Sequence, residues 1–151
     1  MLVVLMRIGD QRFGLDARDV LEIVPGVPLL PVPGAPQWIA GVLHHRDGLA
    51  PVVDLAQLIR GAPAARLLST RIMVLRRAAE DGGAPIGLLA EAITETVRID
   101  DARLRAAGLR APDAPWLGPI ALDEGGPMQL VRWTDLVPAA LRAAVLEGVS
   151  A

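Results

Sequence analysis

Hydrophobic and polar positions alternate along most of this chain, in short runs broken by glycine, proline or acidic residues. Val3 to Ile8 sets Val4, Met6 and Ile8 on one side, Gly9-Asp10 turns the chain, and Gln11 to Leu15 returns as a hairpin partner. Asp16 stands where it caps a short helix through Ile23, with Asp19 three residues on and Leu15 and Val20 able to pack across the start. Pro25 ends that helix. The proline-studded run to Pro36 is extended or turning, since proline neither continues a helix nor donates to a ladder. Gly41 to His45 and Leu49 to Val53 then read as a hairpin around an Asp47-Gly48 turn. Leu55 to Ile59 follows as a short helix ended by Gly61.

The pattern restarts in the second half. Ile72 to Leu75 is a strand of branched residues, Ala79 to Ala84 an acidic, glycine-containing loop, and Pro85 to Glu91 and Ile93 to Ile99 two further strands. Asp101 is placed to cap a helix over Arg103 to Ala107. Glu124-Gly125-Gly126-Pro127 turns a second hairpin. Thr134 and Pro138 open a terminal helix carrying Leu141, Val145 and Leu146.

The two halves share more than rhythm. At an offset of 78 positions Trp38 falls on Trp116, Ile39 on Leu117, Val42 on Ile120, Gly48 on Gly126, Val52-Val53 on Leu130-Val131 and Leu58 on Leu136. At an offset of 73, Gly14-Leu15 falls on Gly87-Leu88 and Val20 on Ile93. Such internal similarity marks repeated structure. Its polar positions diverge: His45-Arg46-Asp47 becomes Asp123-Glu124-Gly125. Short strands, frequent turns and small helices predict a mostly β fold of two closely packed, small β-barrels or barrel-like sheets. A βαβ arrangement needs longer crossover helices than the pattern contains. The first strand fits the sheet of either half.

Composition narrows the function. A chain of 151 residues, 52% hydrophobic and 21% charged, predicts one folded unit of two lobes over residues 1–151. Fifteen basic residues against seventeen acidic ones leave a net charge of -2, without the concentrated positive charge that nucleic-acid binding requires. Cysteine is absent, which removes disulfide and thiolate chemistry. Met1 to Met6 is too short for a signal core, and no apolar stretch approaches the roughly 20 residues that cross a bilayer. The expectation is a cytoplasmic protein with no membrane insertion.

Candidate chemistry is sparse. His44 and His45 are neighbours on a strand and point to opposite faces, so they do not chelate one ion, and no cofactor or metal is expected. Ser69 and Ser150 lack a nucleophile-elbow setting, and Asp47 and Asp54 sit where carboxylates cap backbone donors. The glycines form no phosphate-cradling loop. Trp38, Trp116 and Trp133 read as packing residues. Arg46 is different. It ends a strand before a tight turn, can project five donors, and has Glu124 as its repeat-mate, so the duplicated fold does not itself demand arginine there.

The blocks Gly9-Asp10-Gln11-Arg12-Phe13-Gly14-Leu15-Asp16, Val20-Leu21-Glu22-Ile23, Pro31-Val32-Pro33-Gly34-Ala35-Pro36 and Gly41 through Leu55 resemble the chemotaxis coupling protein family CheW, over residues 3 to 147. Arg66-Leu67-Leu68-Ser69-Thr70-Arg71 and Trp116 through Ala121 are similar to coupling proteins of surface-sensing, Wsp-type pathways. The resemblance implies two interlocked five-stranded β-barrels without catalytic activity. It implies a scaffold joining the regulatory domain of a CheA-like histidine kinase to the cytoplasmic tips of methyl-accepting chemoreceptors, recruited to receptor arrays, with self-association open. It further implies that Val20, Gly41 and Arg46 occupy receptor or array contact positions, Ile72 a groove-lining position, and Glu22 a polar contact position. The family's Asn-Leu-Arg-Gly turn stands here as His44-His45-Arg46-Asp47-Gly48, which keeps the arginine and changes its approach. An orphan kinase-binding scaffold or inhibitor without receptor contact is the alternative, and a small-molecule hydrolase a remote one.

Overall fold

In the first strand, β1 (Leu2–Ile8), side chains are buried on both faces, and this decides the architecture. A computed structural model of the chain describes residues 1–46, 48–76, 85–106, 114 and 116–135, apart from the side chain of Thr94. Val4, Met6 and Ile8 enter a large core with Phe13, Leu15, Val52, Val53, Ile72, Leu88 and Trp133. Val3 and Leu5 point the other way, into a smaller core with Ile99, Ala121, Met128 and Leu130. One strand therefore serves both lobes, because consecutive side chains leave a strand on opposite sides.

Further strands follow in chain order: β2 (Gln11–Asp16), β3 (Val20–Pro25), β4 (Ile39–His45), β5 (Gly48–Asp54), β6 (Arg71–Leu75), β7 (Ile86–Arg98), β8 (Leu104–Arg105), β9 (Leu117–Asp123) and β10 (Gly126–Val131). They join in the order β3-β6-β7-β1-β2-β10-β9-β8, with β5 also paired to β7 and β4 to β5. The long β7 is shared. Its first half pairs with β6 and β5, and its second half with β1. Between them Ala92 takes φ 51 at a register shift, the local irregularity by which a strand bends from one sheet into the next. The mostly β, two-lobed design is as expected. The closure into barrels is not: among the described residues the hydrogen-bonded path has free ends at β3, β4 and β8.

The repeat is kept in three dimensions. His45 lies opposite Gly48 and Asp123 opposite Gly126, so both hairpins turn at equivalent places. The Trp38 carbonyl accepts from Asp54 N at 2.8 Å, and the Trp116 carbonyl from Arg132 N at 2.8 Å. Val52 pairs with Gly87 in one lobe and Leu130 with Gly14 in the other, both in parallel ladders. A Cβ on Gly14 would lie 2.4 Å from Val3 Cγ1 and 2.6 Å from Met128 Sδ, and one on Gly87 would lie 2.9 Å from Ile72 Cγ2. The matching Gly-Leu pairs thus admit a close crossing of strands. The halves also exchange elements: β3 pairs with β6 of the second half, with Val24 opposite Ile72, and the end of β7 pairs with β1, with Val97 opposite Val3.

Three local expectations change. Asp16 caps only a 3-10 turn over Ala17–Asp19, accepting from Arg18 N at 2.9 Å, and Val20–Pro25 is a strand. Pairing with β6 and the β-branched residues Val20, Ile23 and Val24 outweigh the local capping signal. Asp100, rather than Asp101, caps a single turn over Asp101–Arg103, and Leu104–Arg105 is strand. Pro85 to Ile99 carries one strand rather than two. The Ala79 to Ala84 loop and the terminal helix beyond residue 135 lie outside the described residues. Asp54 behaves as predicted. It caps α1 (Leu55–Arg60) through Gln57 N at 3.1 Å and also accepts from Ala64 N at 3.0 Å.

Candidate docking seam

The two strands β3 and β4 are edges of the same lobe, and no backbone ladder joins them among the described residues. A bridge from the connecting segment covers part of β4 instead: Leu30 N donates to Val42 O at 3.0 Å, and Val42 N to Leu30 O at 2.8 Å. Further along, the gap is spanned by side chains. Glu22 projects from β3, and its Oε2 accepts from His45 Nε2 at 2.7 Å and from Arg46 Nη2 at 3.4 Å. Since the carboxylate can only accept, the His45 proton resides on Nε2 in this arrangement. Val24, Val27, Leu43 and His44 complete a shallow depression of about 380 Å³ around these three residues.

Exposure separates the roles within the trio. The His45 side chain is 12% exposed, Glu22 38% and Arg46 76%, a gradient from an anchored base to a projecting cation. The His45 hydrogen bond above all, aided by the Arg46 charge, holds the Glu22 carboxyl below the usual carboxylate range, against the upward push of desolvation. Arg46 sits at φ 55, a left-handed conformation that costs a non-glycine residue on the order of 1 kcal/mol. The register pairs His45 with Gly48 and places Gly48 in β5, and it is Arg46, not Gly48, that takes a positive angle. Asp47 lies outside the described residues.

The five residues singled out by sequence separate into two groups. Glu22 and Arg46 meet at the seam. Val20, half-buried, starts the same strand opposite Leu75. Gly41 and Ile72 are internal. Gly41 underlies the Leu30 bridge, and Ile72 is 0% exposed, paired with Leu89 and Val24. Both are packing positions in this fold. His45 was absent from that set, although its half-burial, with His44 exposed, matches the opposite-face reading of the pair. The available signal was that the turn resembling Asn-Leu-Arg-Gly carries His45 immediately before its arginine. Only the folded register brings Glu22 to it.

The equivalent tip of the second lobe has other chemistry. Asp123 stands where His45 does and forms a two-pronged pair with Arg12, with Nη1–Oδ1 and Nη2–Oδ2 both at 2.7 Å. The Arg12 hydrogen bonds hold the Asp123 carboxyl below its ordinary range, against desolvation. A depressed acid contributes stability above its unfolded-state value near 4 and loses it as pH falls through the lower folded-state value. We therefore expect Arg12→Ala to lower Tm at pH 7. The gap to the unsubstituted chain should shrink steadily as the acid limb is descended toward pH 2, as read by calorimetry.

Among the described residues no cluster of three ligating side chains suits a metal ion, and no helix is long and apolar enough to cross a membrane. The seam combines an exposed cation, a shared acceptor and an apolar floor. The family model for the CheW-like domain matches residues 2–140. The chain belongs to the CheW-like family. Domains of this family are non-enzymatic scaffolds and adaptors. The chain is 28% identical over 99 residues to "Chemotaxis protein CheW" of Rhizobium meliloti (strain 1021), covering 66% of this chain and 61% of that protein. It is 37% identical over 68 residues to "Protein FrzA" of Myxococcus xanthus, covering 45% of this chain and 42% of that one. The CheW-like chain thus spans about three fifths or less of the length of these relatives. The crystal structure of the scaffolding protein TtCheW from Thermoanaerobacter tengcongensis superposes with a TM-score of 0.79 at 22% identity, over 91% of this chain and 87% of that one, and shares its fold.

Proposed function

We propose that this CheW-like chain is a cytoplasmic coupling scaffold that joins a chemoreceptor's cytoplasmic tip to the regulatory domain of a CheA-like histidine kinase within a receptor array. The observation that carries the reading is the Glu22–Arg46 pair, found on the open seam of one lobe only among the described residues. The duplicated fold places Glu124 at the position of Arg46, so the cation is a specialisation of one tip rather than a requirement of the hairpin. Membership of the CheW-like family supports the same role. In this mechanism the apolar floor supplies affinity, while Arg46 and Glu22 discriminate partners and fix their approach. Val20 extends the contact along β3, and Gly41 and Ile72 hold its frame. No substrate turns over.

Reconstitution tests the reading directly. Kinase autophosphorylation is followed with the kinase alone, with each second component, and with kinase, receptor fragment and this chain together. The expected result is a change in phosphorylation that appears only with all three. A chain that binds the kinase and ignores the receptor fragment is instead an orphan scaffold or inhibitor.

A further inference from the structure

The last strand residue before each hairpin turn reaches across to a neighbouring strand, with opposite chemistry in the two lobes. In the second lobe Asp123 accepts from Arg12 of β2 at 2.7 Å. In the first, His45 donates to Glu22 of β3 at 2.7 Å. One clasp joins two permanent charges. The other depends on an imidazole, the side chain whose charge ordinarily changes between pH 5 and 8. Both sides of this second clasp are aimed by the backbone. The β3–β6 register shifts between Val20 and Glu22, an irregularity of the kind that redirects a side chain. His45 holds the last rung of its hairpin, opposite Gly48, and Arg46 follows it at φ 55. His45 and Arg46 converge on one atom, Glu22 Oε2, from unequal positions: the ring is 12% exposed and at 2.7 Å, the guanidinium 76% exposed and at 3.4 Å. A short, sheltered hydrogen bond outweighs a long, solvated one. The same bond is the first cause of the lowered Glu22 carboxyl. His45 therefore sets where the carboxylate sits, and the carboxylate sets how Arg46 is held.

We propose that His45 is the positioning residue of the seam: its Nε2–H pins Glu22 so that Arg46 offers its remaining donors to a carboxylate on the protein partner, and a second ring proton strengthens that offer. This role rests on the docking reading of the seam and adds to it a residue and a pH response. The second proton comes from solvent and enters at Nδ1, because Nε2 already carries one toward Glu22. The Glu22 charge is then shared between two cations, Arg46 is held less firmly by it, and the trio gains one positive charge. Among the described residues, the titratable groups lining the depression are Glu22, His44, His45 and Arg46, and the rest of the lining is apolar. β5 adds no charge there, since Gly48 and Leu49 stand opposite His45 and His44. His44 carries no printed bond to Glu22 and is exposed, so its own protonation leaves the clasp in place.

The test begins with NMR of the full chain alone from pH 8 to pH 5, read at the His45 ring and the Arg46 guanidinium. The two sets of signals should move with a common midpoint, and in Glu22→Gln the Arg46 signals should no longer follow the ring. His45→Gln keeps a donor nitrogen that does not titrate, so it should hold the Arg46 signals near their pH 8 positions throughout. His45→Leu keeps only the bulk and should let them drift to those of a freely solvated arginine. Arg46 signals unmoved by His45→Leu, or indifferent to the ring's titration in the unsubstituted chain, overturn the positioning role. The consequence for docking is read in the three-component phosphorylation assay. From pH 8 to pH 6, the amount of this chain giving half the change should fall about threefold more for the unsubstituted chain than for His45→Gln, a comparison that cancels the kinase's own pH dependence. Equal shifts for the two chains overturn the pH response. No change in phosphorylation at any pH overturns the coupling reading and the docking role with it, while the NMR signals, which need no partner, still decide whether His45 positions Arg46.

Discussion

Arg46→Gly is expected to stabilise the protein by roughly 0.5–1 kcal/mol while weakening partner binding at the seam about tenfold or more. The two effects have opposite signs because they arise from different properties of one residue. Its backbone occupies φ 55, where a Cβ crowds the chain and glycine does not. Its side chain is 76% exposed and touches Glu22 only at the long distance of 3.4 Å, so its loss removes little internal bonding. A residue kept for structure would give the reverse result. Chemical denaturation reads the first effect, and titration with the receptor fragment and the kinase regulatory domain reads the second. Unchanged affinity for both would remove Arg46 from the docking surface. Arg46→Glu serves as a companion, since the repeat accommodates Glu124 at the same hairpin position and the fold is expected to tolerate it. Combining it with Glu22→Arg re-forms the pair with its charges exchanged. A partner that reads Arg46 itself should not be recovered by that exchange.

Gly41→Ala should destabilise the chain by about 3 kcal/mol, a large share of the 5–15 kcal/mol that holds a domain folded. Two costs combine. Gly41 lies at φ 147, outside the range open to alanine. A Cβ there would also stand 2.7 Å from the Leu30 carbonyl oxygen and 2.8 Å from Leu29 Cβ. That oxygen accepts from Val42 N at 2.8 Å, so relieving the clash means opening the Leu30–Val42 bridge that covers the edge of β4. Gly48→Ala, in the same hairpin, meets nothing within 4 Å and should shift the urea midpoint little. The comparison separates a packing effect from general damage to the hairpin. Equal midpoints for the two variants would mean that the connecting segment does not press on β4 in solution. Because the bridge lies beside the seam, loss of partner binding should accompany the loss of stability at Gly41, unlike at Arg46.

Most strands were legible because alternation and turn chemistry are local. The Trp38 and Trp116 hairpins stand at the predicted offset, and Asp54 caps the predicted helix. The segment Val20–Pro25 was misread as helix for the same reason: Asp16 and Asp19 carry a capping signal, and the β6 ladder that overrides it lies some fifty residues away. Of the candidate site, Arg46 stood out through divergence from its repeat-mate. His45 did not, because nothing local to it announces Glu22, 23 positions earlier, as its partner.

By itself, the order of residues determined the alternating strands, their turns, the duplication, the absence of thiol chemistry and the resemblance to a coupling family. Each of these depends on neighbours in the chain or on likeness between its parts. Folding in three dimensions decided which core each face of β1 enters, that β3 and the end of β7 cross to the opposite halves, and that the strand path among the described residues stays open rather than closing into barrels. It also decided that Ile72 lies inside while Glu22, His45 and Arg46 converge on one edge. Those outcomes turn on competition among distant partners for the same buried faces and backbone donors, which a linear pattern does not encode.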